Sequence, residues 1–173
     1  MSSHQAFHPL ISPSLQQQVQ QKLSELTKTA NHYFKTAQPC PEISYKLRGK
    51  VAGKAYLNLW QIRLNPQLLV ENTQAYLDDV IAHELAHLFV FHCFGRVKPH
   101  GKEWQAVMTQ VFKRPASTTH EFDVRSVQGA LFEYQCQCQT HQLTIRRHQK
   151  VQRQQMRYLC RQCQQELTFI RPS

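Results

Sequence analysis

Leu15, Val19, Leu23, Leu26, Ala30 and Phe34 recur at three- and four-residue intervals, with Gln16, Gln17, Gln18, Gln20 and Gln21 between them. The spacing predicts an amphipathic helix over 14–37, its glutamines on the solvated face, ended by Pro39-Cys40-Pro41. Residues 1–13 show no period and read as a loosely ordered N-terminus. From 42 to 64 the period shortens to two, in Ile43–Leu47, Ala55–Leu59 and Gln61–Leu64, punctuated by Gly49 and Gly53. That pattern predicts a small antiparallel sheet of three strands. Asn65-Pro66 opens a short helix to Val70. Helical spacing then returns through Leu77, Val80, Ile81, Leu85, Leu88 and Phe89, capped by Asn72 or Thr73 and ended by Gly95. A last amphipathic helix of this part runs through Trp104, Val107, Met108 and Val111.

The central helix is apolar on one face, yet it carries His83-Glu84-Leu85-Ala86-His87. Residues four apart project from the same side of a helix, one turn apart. Two imidazoles so placed suit two positions on a tetrahedral zinc ion, with Glu84 aimed at a neighbouring water rather than at the metal. The plainer reading is a pair of hydrogen-bonded core histidines, but two His and a Glu inside a buried helix require a reason.

Such a site needs a third ligand. Twelve residues separate His87 from His100, enough to finish the helix, turn and return an imidazole. Glu103 is the rival; it can instead cap the following helix or orient a ligand. His100 is the expected ligand, because three neutral imidazoles and one open position make a hydrolytic zinc site. His120, in a loop expected over 114–133, and Tyr76 are candidates to stabilise an oxyanion.

Composition adds a second region. The 173 residues carry a net charge of +10, unevenly spread. Residues 1–133 hold 14 Lys and Arg against 10 Asp and Glu; residues 134–173 hold 7 against 1. So dense a basic tail points to a polyanionic partner, most often nucleic acid. No run is apolar enough to span a membrane, and Met1-Ser2-Ser3-His4-Gln5 does not open a secretory signal, so a cytoplasmic location is expected. Six cysteines then read as metal ligands or free thiols.

Four of those cysteines lie in the basic tail: Cys136-Gln137-Cys138, with His141 shortly after, and Cys160-Arg161-Gln162-Cys163. Two knuckles about eighteen residues apart fit a two-stranded ribbon closed on a structural zinc ion, with strands over 142–146 and 155–159. The expected ligands are Cys138, His141, Cys160 and Cys163, with Cys136 as the alternative to Cys138. Arg146, Arg147, Lys150, Arg153, Arg157 and Arg161 crowd this ribbon with Tyr134, Tyr158 and Phe169, a mixture that suits phosphates and unpaired bases.

Together, His83-Glu84-Leu85-Ala86-His87, Phe94-Gly95-Arg96-Val97, His100-Gly101-Lys102-Glu103-Trp104 and the ribbon from Tyr134 to Cys163 resemble the bacterial SprT family, within the wider SprT-like metalloprotease group. The resemblance implies an α+β zincin-like domain over 14–133, built as helix, small sheet, active helix and third-ligand helix, followed by a basic zinc ribbon over 134–173. It implies that His83, His87 and His100 hold zinc and that Glu84 is catalytic. Eukaryotic relatives digest proteins crosslinked to DNA. The ribbon departs from the family's usual four-cysteine form, so the choice between Cys136 and Cys138 stays open.

The expectation is therefore a cytoplasmic zinc-dependent peptidase with one catalytic and one structural zinc, acting on DNA-associated proteins that the basic ribbon helps to reach. The alternative is a nucleic-acid-binding regulator whose zinc sites are purely structural.

Overall fold

The computed structural model describes residues 8–119 and 122–170. The chain divides into two compact units, Met1–Val127 and Gln128–Ser173. The class is α+β, with two three-stranded sheets.

The first unit opens with α1 (Pro13–Phe34). Ser12 caps it, its Oγ accepting from the Leu15 N–H, and Pro13 takes the first position, where a missing N–H costs nothing. Val19, Leu23, Thr27 and Ala30 form its buried face. Lys35 ends it in the left-handed conformation.

The sheet contains β1 (Glu42–Ser44), β2 (Gly53–Tyr56) and β3 (Gln61–Leu64), in the order β1-β3-β2. β2 and β3 are antiparallel, joined through a 3₁₀ turn at Leu57–Leu59. β1 runs parallel to β3, which corrects the expected all-antiparallel sheet. A period of two marks the faces of a strand and says nothing of its partner or direction. The order leaves β2 with one open edge among the described residues.

α2 (Pro66–Glu71) is capped by Asn65, whose Oδ1 accepts from the Gln67 and Leu68 N–H groups. α3 (Thr73–Ala75), a π-helical turn (Tyr76–Val80) and α4 (Ile81–Phe94) then follow without a break. Neither Asn72 nor Thr73 caps this stretch, because both side chains donate backwards, to Leu68 O and Leu69 O. Gly95, at φ 71°, ends α4 as expected, a backbone state that costs glycine nothing. Ile81, Leu85, Leu88 and Phe89 are fully buried, so α4 is the centre of the core rather than a surface helix. α5 (Lys102–Ala106) passes into a second π-helical turn (Val107–Val111).

In the second unit, β4 (Leu131–Gln135) pairs antiparallel with β5 (Thr140–Thr144) and with the short β6 (Thr168–Phe169). Leu131–Glu133 thus stand with the ribbon. The expected strands form only in part: β5 contains residues 142–144, α6 (Ile145–Gln152) begins where that strand was expected to continue, and 155–159 contributes only the bridge between Leu159 and Glu166. Arg, Gln and Lys favour helix, and α6 has one apolar side on which Val151 meets the ribbon core of Tyr134, Leu143, Cys160 and Leu167.

Candidate functional site

α4 brings His83 and His87 to one side, and the loop after Gly95 returns His100 to them. The Gly101 N–H donates to Lys98 O at 2.9 Å, closing a tight turn in which His100 adopts φ 56°, rare outside glycine. Gln105 Nε2 donates to His100 O at 3.0 Å. The Nε2 atom of His100 then lies 3.0 Å from that of His83 and 3.1 Å from that of His87. Tetrahedral zinc with imidazole ligands sets its nitrogens about 3.3–3.4 Å apart, so the triangle fits such an ion within a few tenths of an ångström. Burial, with the neighbouring His100, pushes His87 down to about 4, which keeps it in the neutral form that ligates.

Trp104 packs against all three rings, with centroids 4.6 Å from His83, 5.6 Å from His87 and 4.7 Å from His100. Its Nε1 donates to His83 O at 3.3 Å. Trp104 looked like an ordinary core residue in the sequence, where only its place four after His100 hinted at more. Glu103, the rival ligand, stays outside the triangle; its carboxylate folds over Gly101 and lies 4.0 Å from Lys102 Nζ.

Glu84 is only 7% exposed. Burial pushes its carboxyl up to about 7, against the Ala55 backbone N–H, whose hydrogen bond pulls it down. β2 presses directly on it: a Cβ on Gly53 would fall 2.8 Å from Glu84 Cγ. The open edge of β2 therefore borders the helix that carries the histidines.

Tyr76 does not turn its hydroxyl toward the histidines. The ring is fully buried, and the hydroxyl donates to Ala52 O at 3.0 Å, which ties the π-helical turn to the start of β2. Its pKa is raised, by burial first and by Glu84 second. His120 lies outside the described residues.

In the second unit the sulfurs of Cys136, Cys138, Cys160 and Cys163 all lie within 4.8 Å of one another. Cys138 Sγ is 3.4 Å from Cys136 Sγ and 3.6 Å from Cys160 Sγ, against about 3.8 Å between the sulfurs of a tetrahedral zinc–thiolate site. Both Cys136 and Cys138 enter the cluster, where one was expected. The turn joining β4 to β5 sets them side by side, with the Cys136 N–H bonded to Gln139 O at 3.1 Å. The four cysteines form a complete set without His141, whose Nε2 stands 3.3 Å from Cys136 Sγ as a hydrogen-bonding neighbour. The backbone N–H groups of Cys163 and Gln162 draw the Cys160 thiol down to about 5, while its hydrogen bond with Cys136 pushes Cys138 up to about 12. Four thiols this close do not ionise together without a cation among them.

Residues 23–121 match the SprT-like family, and residues 131–171 match the SprT-like zinc ribbon domain. The chain belongs to the SprT-like family. Among its relatives, Protein SprT of Yersinia pestis is 55% identical over 157 residues, 91% of this chain and 92% of that one. Protein SprT of Vibrio atlanticus is 54% identical over 154 residues, 89% and 93% of the two chains. Protein SprT of Actinobacillus succinogenes is 50% identical over 153 residues, 88% and 90%. No solved structure matches. The SprT-like match spans the histidine triangle and the ribbon match spans the cysteine cluster, so both sets of candidate zinc ligands stand inside their family's domains. No helix among the described residues is long and apolar enough to cross a membrane.

Proposed function

We propose that this chain is a zinc-dependent peptidase of the SprT type, with proteins associated with DNA as its targets. The observation that carries the reading is the buried carboxyl of Glu84, on the same helix as His83 and His87, next to the triangle that these two imidazoles complete with His100 from the following loop. His83, His87 and His100 would hold the zinc, leaving one position open. When bound, zinc supplies Lewis acidity toward a carbonyl and lowers the pKa of water. Glu84, buried beside these imidazoles, accepts a proton from the attacking water and returns it to the leaving amine. The edge of β2 away from β3 offers backbone groups to an extended peptide, apart from the Ala55 N–H that already bonds Glu84, and the peptide would lie across Glu84 by strand addition. The cysteine quartet leaves no open position, and its role in this reading is to fold the second unit.

The DNA part of the proposal rests on α6. Arg146, Lys150 and Arg153 follow i, i+4, i+7 spacing on or just after this helix, with Arg147 beside them. Arg146, Arg147 and Arg153 are exposed, and the Arg147 guanidinium sits 5.6 Å from the centroid of the Tyr158 ring. Such an array meets phosphates without reading sequence. A regulator that only binds nucleic acid would use the same helix, but it would have no use for Glu84. The test is to incubate wild type and Glu84→Gln, both zinc-loaded, with an unfolded protein, with and without single-stranded DNA. The proposal expects cleavage by wild type alone, increased by DNA when the substrate also binds it. Equal inactivity of both proteins would favour the regulator.

A further inference from the structure

Beside the histidine triangle the first unit forms a cavity of about 370 Å³. His87 and His100 contribute to its wall, and Leu57, Val90, Phe91, Val97, Pro99 and Trp104 form most of the remainder, with the exposed Arg96 and Lys98. Among the described residues no acidic side chain lines it. A second cavity, about 390 Å³ and lined by His83, has a different character, with Asn72, Asp79, Ser117 and Thr119 among its walls. The two sides of the site are therefore chemically unequal.

Leu57 connects the first cavity to the sheet. It follows Tyr56, the last residue of β2, whose open edge borders Glu84 at Gly53 and Ala55. An extended chain lying along that edge would run from Glu84 toward Leu57. The geometry points to a side-chain pocket that admits a large apolar residue of the substrate, one fixed distance along the chain from the bond that is cut. This rests on the peptidase reading and adds the substrate class to it: unfolded segments carrying an aromatic or large aliphatic residue.

The chemistry selects that occupant. The volume lies within the ~300–1,000 Å³ range of ligand pockets, and the walls are largely aliphatic and aromatic. A buried polar side chain would lose water there and find few partners. A Lys or Arg would meet Arg96 and Lys98, charges of its own sign. Trp104 serves twice, since the ring that supports the histidines also faces this pocket.

The test uses the full zinc-loaded chain and extended peptides that differ at one position, carrying Phe, Leu, Ala or Lys. Val97→Trp fills the cavity from the loop that carries His100, three residues before that imidazole, so its zinc content is measured beside its rate, and Leu57→Ser removes the wall next to β2. Cleavage rates are read for wild type and both variants, and fluorescence anisotropy reads the binding of each peptide to the zinc-loaded Glu84→Gln protein. The expected result is a preference of about 10- to 200-fold for Phe or Leu over Ala at one position relative to the cut. Val97→Trp should reduce that preference about tenfold at unchanged zinc content, and Leu57→Ser should weaken it. Equal rates for Phe, Ala and Lys would overturn the pocket, as would an undiminished preference in both variants. If wild type cuts no peptide, the peptidase reading falls and anisotropy alone decides. Tighter binding of Phe than Ala, lost when Val97→Trp is added, would support the pocket; equal binding would overturn it.

Discussion

Gly53 on β2 lies directly against Glu84 on α4: a Cβ there would meet Glu84 Cγ at 2.8 Å and Oε1 at 2.9 Å. Only a residue without a side chain leaves room for the carboxyl between strand and helix. Gly53→Ala should therefore push the carboxyl aside without touching a zinc ligand. Misplacing a catalytic group by about 1 Å costs on the order of 10²-fold in rate. The expected outcome is a loss of that order in kcat/KM with the zinc content unchanged, checked by kinetics and metal analysis on the same preparation. Unaltered kinetics would show that the contact does not position Glu84.

The raised pKa of Glu84 has a consequence for stability. Its carboxyl titrates near 7 when folded and near 4.5 when unfolded, so the folded state holds the proton more tightly. Its contribution is fully present below about 4.5 and is lost as pH rises through about 7. His87, depressed to about 4, works the other way: its contribution is present above about 6.5 and is lost as pH falls through 4. Comparing metal-free wild type with Glu84→Gln isolates the carboxyl. The variant should gain stability relative to wild type between pH 5 and 8, on the order of 3 kcal/mol. Urea unfolding at several pH values measures this, and parallel curves would contradict it.

Trp104 holds His83 through its backbone oxygen and packs against all three imidazoles. Trp104→Phe keeps much of the packing and loses the hydrogen bond. Residues that orient metal ligands typically contribute 10- to 100-fold in affinity, and a weakening of that size is expected at the histidine site. Competition with a calibrated chelator would read it, with the cysteine site as the internal control.

The cysteine quartet makes a prediction that separates it from a set containing His141. His141→Ala should retain the full zinc complement, whereas Cys160→Ser should lose one equivalent and, with it, hydrogen-exchange protection across β4 and β5. Loss of zinc from His141→Ala would place the imidazole among the ligands.

Replacing Arg146 and Lys150 of α6 and Arg153 just after it with Gln removes three cations. If each meets a phosphate, the salt dependence of single-stranded DNA binding should fall by about 2 in the slope of log K against log salt. An unchanged slope would move the contact elsewhere.

What the sequence made legible was local. The histidines on α4 and the terminating Gly95 follow from helical spacing and glycine chemistry, the return of His100 from the twelve residues between it and His87, and the presence of a small sheet among helices from the change of period. The unseen parts depend on chain segments far apart or on balances too fine for pattern. The parallel pairing of β1 with β3 is a choice between partners with the same alternation. In the ribbon, α6 takes over the last two residues of the strand expected over 142–146, a boundary fixed by where Val151 meets the ribbon core. Both Cys136 and Cys138 enter the quartet because the β4–β5 turn sets them together, which spacing left open. The approach of Gly53 to Glu84 joins residues 31 positions apart and carries no motif.

In the proposed mechanism Glu84 acts as a base beside a zinc held by His83, His87 and His100. The most direct measurement is the cleavage rate of an unfolded protein by Glu84→Gln and wild type at matched zinc content. The expected result is two zinc ions per chain in both and a rate for Glu84→Gln lower by about 10²–10⁴-fold, the usual range for a general base. Equal rates at equal zinc would contradict it.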